Sequence, residues 1–193
     1  RNKWKDPASN SGPGSNVGQA ERLIEELPVL LKNYGISSIL DIPCGDFHWM
    51  ARVDRNGISY TGADIVEEMI ERNQRDYGGP KVKFICLDLI TDALPKSDLV
   101  LVRDCFVHLA NNNILRALRN IRDSGSEYLL TTTFPGLKKN LDTEAPAWRP
   151  LNLRLPPFNL PEPLEVIVEG CTERGEEYAD KSLALWKISE LNF

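Results

Sequence analysis

Residues 38–49 read SILDIPCGDFHW. An apolar, β-branched run, Ile39-Leu40-Asp41-Ile42, stops at the turn-forming Pro43-Cys44-Gly45-Asp46. That is the pattern of a buried strand cut short by residues that cannot continue it. A second run, ISYTGA over 58–63, ends in Asp64, and a third, VKFICL over 82–87, ends in Asp88. Between the second and third, residues 66–77 carry Met69 and Ile70 inward and stop at Gly78-Gly79-Pro80, as a helix does. Strands alternating with helical spacers predict a parallel sheet. Each of the three strands then delivers a carboxylate at or near the C-terminal edge, where open α/β sheets bind their ligands.

The same reading extends in both directions. Ala20, Leu23, Ile24, Leu27, Leu30 and Leu31 form a helical stripe over 17–34; Pro28 should kink or divide that helix and Gly35 should cap it. A fourth strand is expected at 98–103, a helix at 111–122 with Ile114, Leu115, Leu118 and Ile121 on one face, and a fifth strand at 127–133. Residues 134–163 differ: they hold seven of the chain's thirteen prolines and no sustained period. Long irregular stretches inside compact domains are commonly functional, and Phe134, Trp148, Leu151, Leu153, Leu155 and Phe158 argue against full disorder here. Two further strands, 164–169 and 182–188, follow with a charged connector between them. The first sixteen residues, rich in Gly, Pro and Ser, read either as a flexible tail or as a lid formed by Trp4 and the turn at 11–15.

On these residues the chain resembles the class I S-adenosylmethionine-dependent methyltransferases, from about residue 37 to the end. Asp41-Ile42-Pro43-Cys44-Gly45-Asp46 resembles the family's first motif, an acidic residue before a Gly-rich turn, although only Gly45 remains of its usual glycines. Asp64, with Ile65 beside it, matches the acidic position that holds the ribose hydroxyls. Asp88-Leu89 matches the pair facing the adenine, and Arg103-Asp104 and His108 fall where the family keeps cofactor-, substrate-facing or catalytic groups. The resemblance implies a single Rossmann-like α/β domain of three layers. Its sheet would be mostly parallel and seven-stranded, with an antiparallel last strand inserted between the fifth and sixth. It also implies S-adenosylmethionine as cofactor and S-adenosylhomocysteine as product. The combination of WRPLN at 148–152 with PPFNLP at 156–161 resembles a subgroup found beside or fused to glycan-building enzymes. That implies a sugar acceptor, and a place as a domain of a larger glycan-building protein.

Composition bounds these expectations. The 193 residues are 41% hydrophobic and 26% charged, enough for one α/β domain. The net charge of −5 and pI near 5.2 disfavour nucleic acid, whose phosphates demand a basic face. No apolar run approaches the roughly 20 residues that span a bilayer. Cys44, Cys86, Cys105 and Cys171 form no C-x-x-C pair, which fits a reducing, cytoplasmic setting without a zinc site.

The chemistry of the cofactor assigns roles to these residues. A carboxylate can accept two hydroxyl protons, so Asp64 suits a ribose diol and Asp88 an adenine amino group. The backbone over 43–47 can approach the methionine end because Gly45 permits it; Asp41 or Asp46 can hold the ammonium, with Trp49 lining the cofactor. Asp104 and His108, four residues apart, are the candidate base and its orienter for an alcohol acceptor, Asp104 ranking first. Trp148, Arg149 and Asn152 offer an aromatic face, a fork of donors and an amide to a sugar. Each has a plainer reading: Asp is common at strand ends, His108 can pack beneath a helix, and Trp148 can cover the sheet edge. A dinucleotide-binding domain is disfavoured because P-C-G-D-F-H lacks the second and third glycines of G-x-G-x-x-G. Other acceptors, amines or proteins, and a non-catalytic cofactor-binding module remain alternatives. A divalent metal is compatible with Asp104 but no full oxygen set is visible.

Overall fold

The computed structural model describes residues 17–143, 147–172 and 177–192. The N-terminal segment expected to be a tail or lid lies outside them. Seven strands form one sheet: β1 Ser38–Asp41, β2 Ser59–Asp64, β3 Val82–Cys86, β4 Leu99–Val102, β5 Tyr128–Thr133, β6 Glu165–Val168 and β7 Ser182–Lys187. Their order is β3-β2-β1-β4-β5-β7-β6. β1 pairs in parallel with both β2 and β4, and β7 enters antiparallel between β5 and β6. The order reverses between β1 and β4, so the sheet has its switch point where the turn 42–46 emerges.

Among the described residues three α-helices accompany the sheet: α1 Val17–Asn33, α2 Glu67–Tyr77 and α3 Asn111–Asp123. α1 and α2 cover one face through Leu23, Leu27, Leu31 and Ile70, packed on Ile39, Leu101 and Leu185. α3 covers the other through Ile114, Leu118 and Ile121, joined there by Leu151, Leu153 and Phe158 of the proline-rich loop. Among the described residues no further helix lies on that face, and the loop fills the rest of the layer beside α3. Pro28 lies inside α1 and does not divide it. Its missing N–H costs one helical bond, and the buried stripe on both sides keeps the helix whole. Gly35, at φ 63°, ends α1. Its N–H donates to the Lys32 carbonyl at 3.2 Å and that of Ile36 to Leu31 at 2.9 Å, the paired bonds of a Schellman cap.

At the opposite edge from the Asp64 and Asp88 ends, Asp98 accepts from both Ser37 N–H (2.8 Å) and Ser38 N–H (2.9 Å). It fastens the start of β1 to the start of β4, setting the register of the two strands that flank the switch point.

Candidate active site

The turn after β1 is built from both sides. Cys44 N–H donates to the Ala63 carbonyl at 2.8 Å, continuing the parallel pairing past the strand end. Gly45 takes φ 55° and Phe47 φ 61°. The second left-handed residue is tolerated because its ring is buried against Tyr60 (5.0 Å), Tyr77 (5.0 Å) and Phe84 (5.1 Å). Phe47 belongs to the core, while the backbone it anchors stays at the edge. Asn73, fully buried on α2, donates from Nδ2 to the Gly45 carbonyl at 2.7 Å. A polar residue one turn from Ile70 on the buried face of α2 was the sequence signal for this strut.

Asp64 sits against that turn. One carboxylate oxygen accepts from Gly45 N–H at 3.3 Å and the other from Val66 N–H at 3.1 Å. Burial raises its pKa, against the pull of those backbone donors. Each oxygen keeps a second lone pair, so the residue fits a diol without losing its local role. Ile65, beside Asp64, is two-thirds exposed, at 67%. Asp88 is half-buried and accepts from Ile90 N–H at 2.7 Å; Leu89 is buried. Asp41 lies deeper. Tyr60 Oη donates to it at 2.6 Å, and burial pushes it up to about 7 despite Tyr60 and the Arg103 charge. Asp46 is buried and accepts from His48 N–H at 3.3 Å.

Beyond β4 the chain turns sharply. Asp104 takes φ 53°, and its N–H leaves the ladder to donate to Thr132 Oγ1 at 2.8 Å. Its carboxylate accepts from Lys181 Nζ at 2.7 Å. Arg103 stacks its guanidinium over Trp49 at 5.1 Å and donates from Nη2 to Glu169 at 2.6 Å. The expected cofactor role of Arg103 and Trp49 thus meets a buried pair in which the cation is committed to Glu169. Lys181 lies 3.5 Å from the same Glu169 oxygen. Sequence reading did not single out Glu169 or Lys181. Glu169 is one more acid just past a strand, and Lys181 immediately precedes β7, so the strand-end signal existed for both.

The electrostatics follow from this quartet. Burial alone would raise the Asp104 carboxyl, but Lys181 and Arg103 hold it below its ordinary value. Burial also lowers His108, reinforced by Arg149 and Lys181 and opposed by Asp104. His108 closes a 3-10 turn, Phe106–His108, just before α3, and is neutral near pH 7 in this setting.

The loop residues divide. Trp148 is partly exposed and packs edge-on against Phe134 at 5.9 Å and tilted against Tyr178 at 4.8 Å, forming an aromatic shelf. Arg149 is buried: Nε donates to the Leu141 carbonyl at 2.7 Å and Nη2 to Asn111 Oδ1 at 2.8 Å, with Nη1 at 3.4 Å from the Val107 carbonyl. Asn152, also buried, donates to the Pro135 (3.1 Å) and Leu137 (3.0 Å) carbonyls. These two are loop struts. Most of their donors satisfy backbone carbonyls of the irregular segments around them, so both hold the loop in place; the acceptor role expected of them is a proposal. Among the described residues no cluster of three or more metal-type ligands occurs, and no helix is long and apolar enough to cross a membrane.

Residues 39–124 match the family described as a methyltransferase domain. Over those residues the chain is similar to methyltransferase domains. That likeness implies S-adenosylmethionine as cofactor, and the edge carboxylates Asp64 and Asp88 and the Gly45 turn fit it. Among solved structures, the chain is similar to TnmH with a TM-score of 0.66 and 14% identity, covering 89% of this chain and 56% of that one. It is similar to human N-acetylserotonin methyltransferase in complex with S-adenosylmethionine (TM-score 0.59, 13% identity, 91% and 59% covered). The methyltransferase domain of bacterial CtHen1-C gives a TM-score of 0.52 at 14% identity, with 61% and 66% covered. At such identities the likeness is one of fold, and the chain spans about three-fifths of the length of these relatives. No curated protein sequence matches it.

Proposed function

We propose that this methyltransferase domain methylates a hydroxyl oxygen of a sugar in a glycan. When bound, S-adenosylmethionine supplies a methyl group already joined to a good leaving group. The protein's task is then to position an alcohol in line, exclude water and remove a proton. The observation that carries the reading is the pairing after β4: a histidine that burial keeps neutral, and a carboxylate pinned by Lys181 at 2.7 Å. A neutral imidazole can take the hydroxyl proton. Asp104, its basicity drained by two cations, serves better to orient the hydroxyl and to stabilise the imidazolium that forms. This reverses the ranking that residue type alone suggests. The partly exposed Trp148 supports a sugar, whose C–H face stacks on an indole.

Incubation with methyl-labelled S-adenosylmethionine and a set of glycan and sugar-nucleotide acceptors tests the proposal. Label recovered as an O-methyl ether supports it. Label on nitrogen alone assigns a different acceptor, and tight cofactor binding without transfer to any acceptor assigns a binding module.

A further inference from the structure

We infer that Asp104 and Glu169 together form a recognition site for two neighbouring hydroxyls of a neutral sugar ring, an inference that rests on the O-methyl transfer reading above. Each carboxylate spends one oxygen on the cations. Asp104 Oδ2 accepts from Lys181 at 2.7 Å, and Glu169 Oε2 accepts from Arg103 at 2.6 Å and lies 3.5 Å from Lys181. The other oxygen of each, Asp104 Oδ1 and Glu169 Oε1, is buried and accepts no hydrogen bond from any described residue. A carboxylate has about four lone-pair sites, and a buried acceptor left unused is rare enough in folded proteins to require a reason. Glu169 has a side chain only 1% exposed, so its orphan is not a surface group open to bulk water.

The charges select the ligand class. Two carboxylates and two cations leave the quartet formally neutral, and the cations sit on the same oxygens that bridge the acids. An ammonium or a metal ion entering here would meet Lys181 and Arg103, and an anion would meet Asp104 and Glu169. What remains is a neutral hydrogen-bond donor, and hydroxyls are the neutral donors that come in adjacent pairs. One ammonium reaches both acids, through Asp104 Oδ2 and Glu169 Oε2, which sets the two carboxylates side by side, and the proposal assigns their other oxygens to two hydroxyls of one ring. The aromatic shelf adjoins it: Lys181 N–H donates to the Tyr178 carbonyl at 3.0 Å, and the Tyr178 ring packs on Trp148. Carboxylates for hydroxyls beside rings for a C–H face make a pyranose the ligand, with Tyr178 a further contact.

The test uses the whole chain saturated with S-adenosylhomocysteine and saturation-transfer NMR. The probes are methyl glycopyranosides of differing ring stereochemistry, cyclohexanol with its single hydroxyl, and the cationic cyclohexylamine. The expected result is that one or more glycosides with vicinal hydroxyls bind at least about tenfold more tightly than cyclohexanol or cyclohexylamine, the loss that follows when buried polar groups go unpaired. Glu169→Gln, which also loosens the buried Arg103 pair, should weaken that glycoside at least about tenfold more than it weakens S-adenosylhomocysteine, because the charged acceptor for the hydroxyl is lost as well. Should Glu169→Gln fail to fold, the selectivity of the wild-type chain among the three probe types still decides. Cofactor product bound normally, with glycosides no tighter than cyclohexanol or with cyclohexylamine preferred, overturns this inference and leaves the methyltransferase reading standing. Failure to bind S-adenosylhomocysteine at all overturns both.

Discussion

Lys181 donates to the Asp104 carboxylate at 2.7 Å across 77 residues of chain. The contact exists because β7 runs antiparallel beside β5, which returns the start of β7 to the edge where β4 ends. Asp104 in turn holds the Lys181 charge: burial would lower the lysine, and Asp104 and Glu169 raise it. In the O-methyl transfer proposed above, a carboxylate so paired is assigned the orienting role and the imidazole four residues on, its pKa lowered by burial, the role of base.

The pH dependence of turnover should report His108. Only its neutral form accepts a proton, so kcat/KM rises with pH through a value below the ordinary 6.5 and is level at neutral pH. His108→Ala should lower turnover roughly 10²–10⁴-fold and abolish that limb. In Asp104→Asn the carboxylate that props up the histidine is gone, so any residual limb should move to lower pH. Unchanged turnover in both variants would leave catalysis to positioning alone.

Asp64 carries the clearest prediction for the cofactor. Asp64→Ala removes hydroxyl acceptors and also frees the Gly45 and Val66 N–H groups that the carboxylate holds. Affinity for S-adenosylhomocysteine by calorimetry should fall at least about tenfold, with the melting temperature falling less than for a core deletion. Normal affinity in a folded variant would separate this strand end from cofactor binding.

Asp41 should shape stability in the opposite sense to an ordinary salt-bridged acid. Its folded pKa is raised to about 7, so the native state holds the proton more tightly than the unfolded chain. That contribution is complete below about pH 4 and is lost as pH rises through about 7. The melting temperature of wild type relative to Asp41→Asn should therefore decline over that window. Tyr60→Phe, which deletes the hydrogen bond that lowers the Asp41 pKa, should shift the decline to higher pH. A difference that stays flat with pH would show Asp41 ionised throughout.

Arg149 separates strut from substrate ligand. Arg149→Ala leaves the Leu141 carbonyl and Asn111 side chain unpaired, and should cost about 2–4 kcal/mol in urea unfolding. Asn111 begins α3, whose first N–H is held by Asp142 at 2.9 Å, so amide exchange in that helix's first turn should quicken. Full stability with lost turnover would instead return Arg149 to the acceptor site.

What the sequence by itself determined is local. The runs ending in Asp41, Asp64 and Asp88, the stripe from Ala20 to Leu31 and the stop at Gly35 encode strands and helices through spacing, β-branching and caps, all within reach of a few residues. A parallel sheet and an acidic edge follow from their order. Tertiary structure alone decided which polar groups stay available at that edge. Arg149 and Asn152 look like ligands in the sequence, but they donate to carbonyls of the proline-rich loop that packs beside α3. Glu169 and Lys181 read as a strand end and the last residue of a charged connector, yet they are buried beside Arg103 and Asp104, 66 and 77 residues away. Periodicity records whether a side chain faces inward. It does not record which charge it will meet there, because that depends on the antiparallel insertion of β7, and burial then turns the meeting of charges into the largest force on each of them.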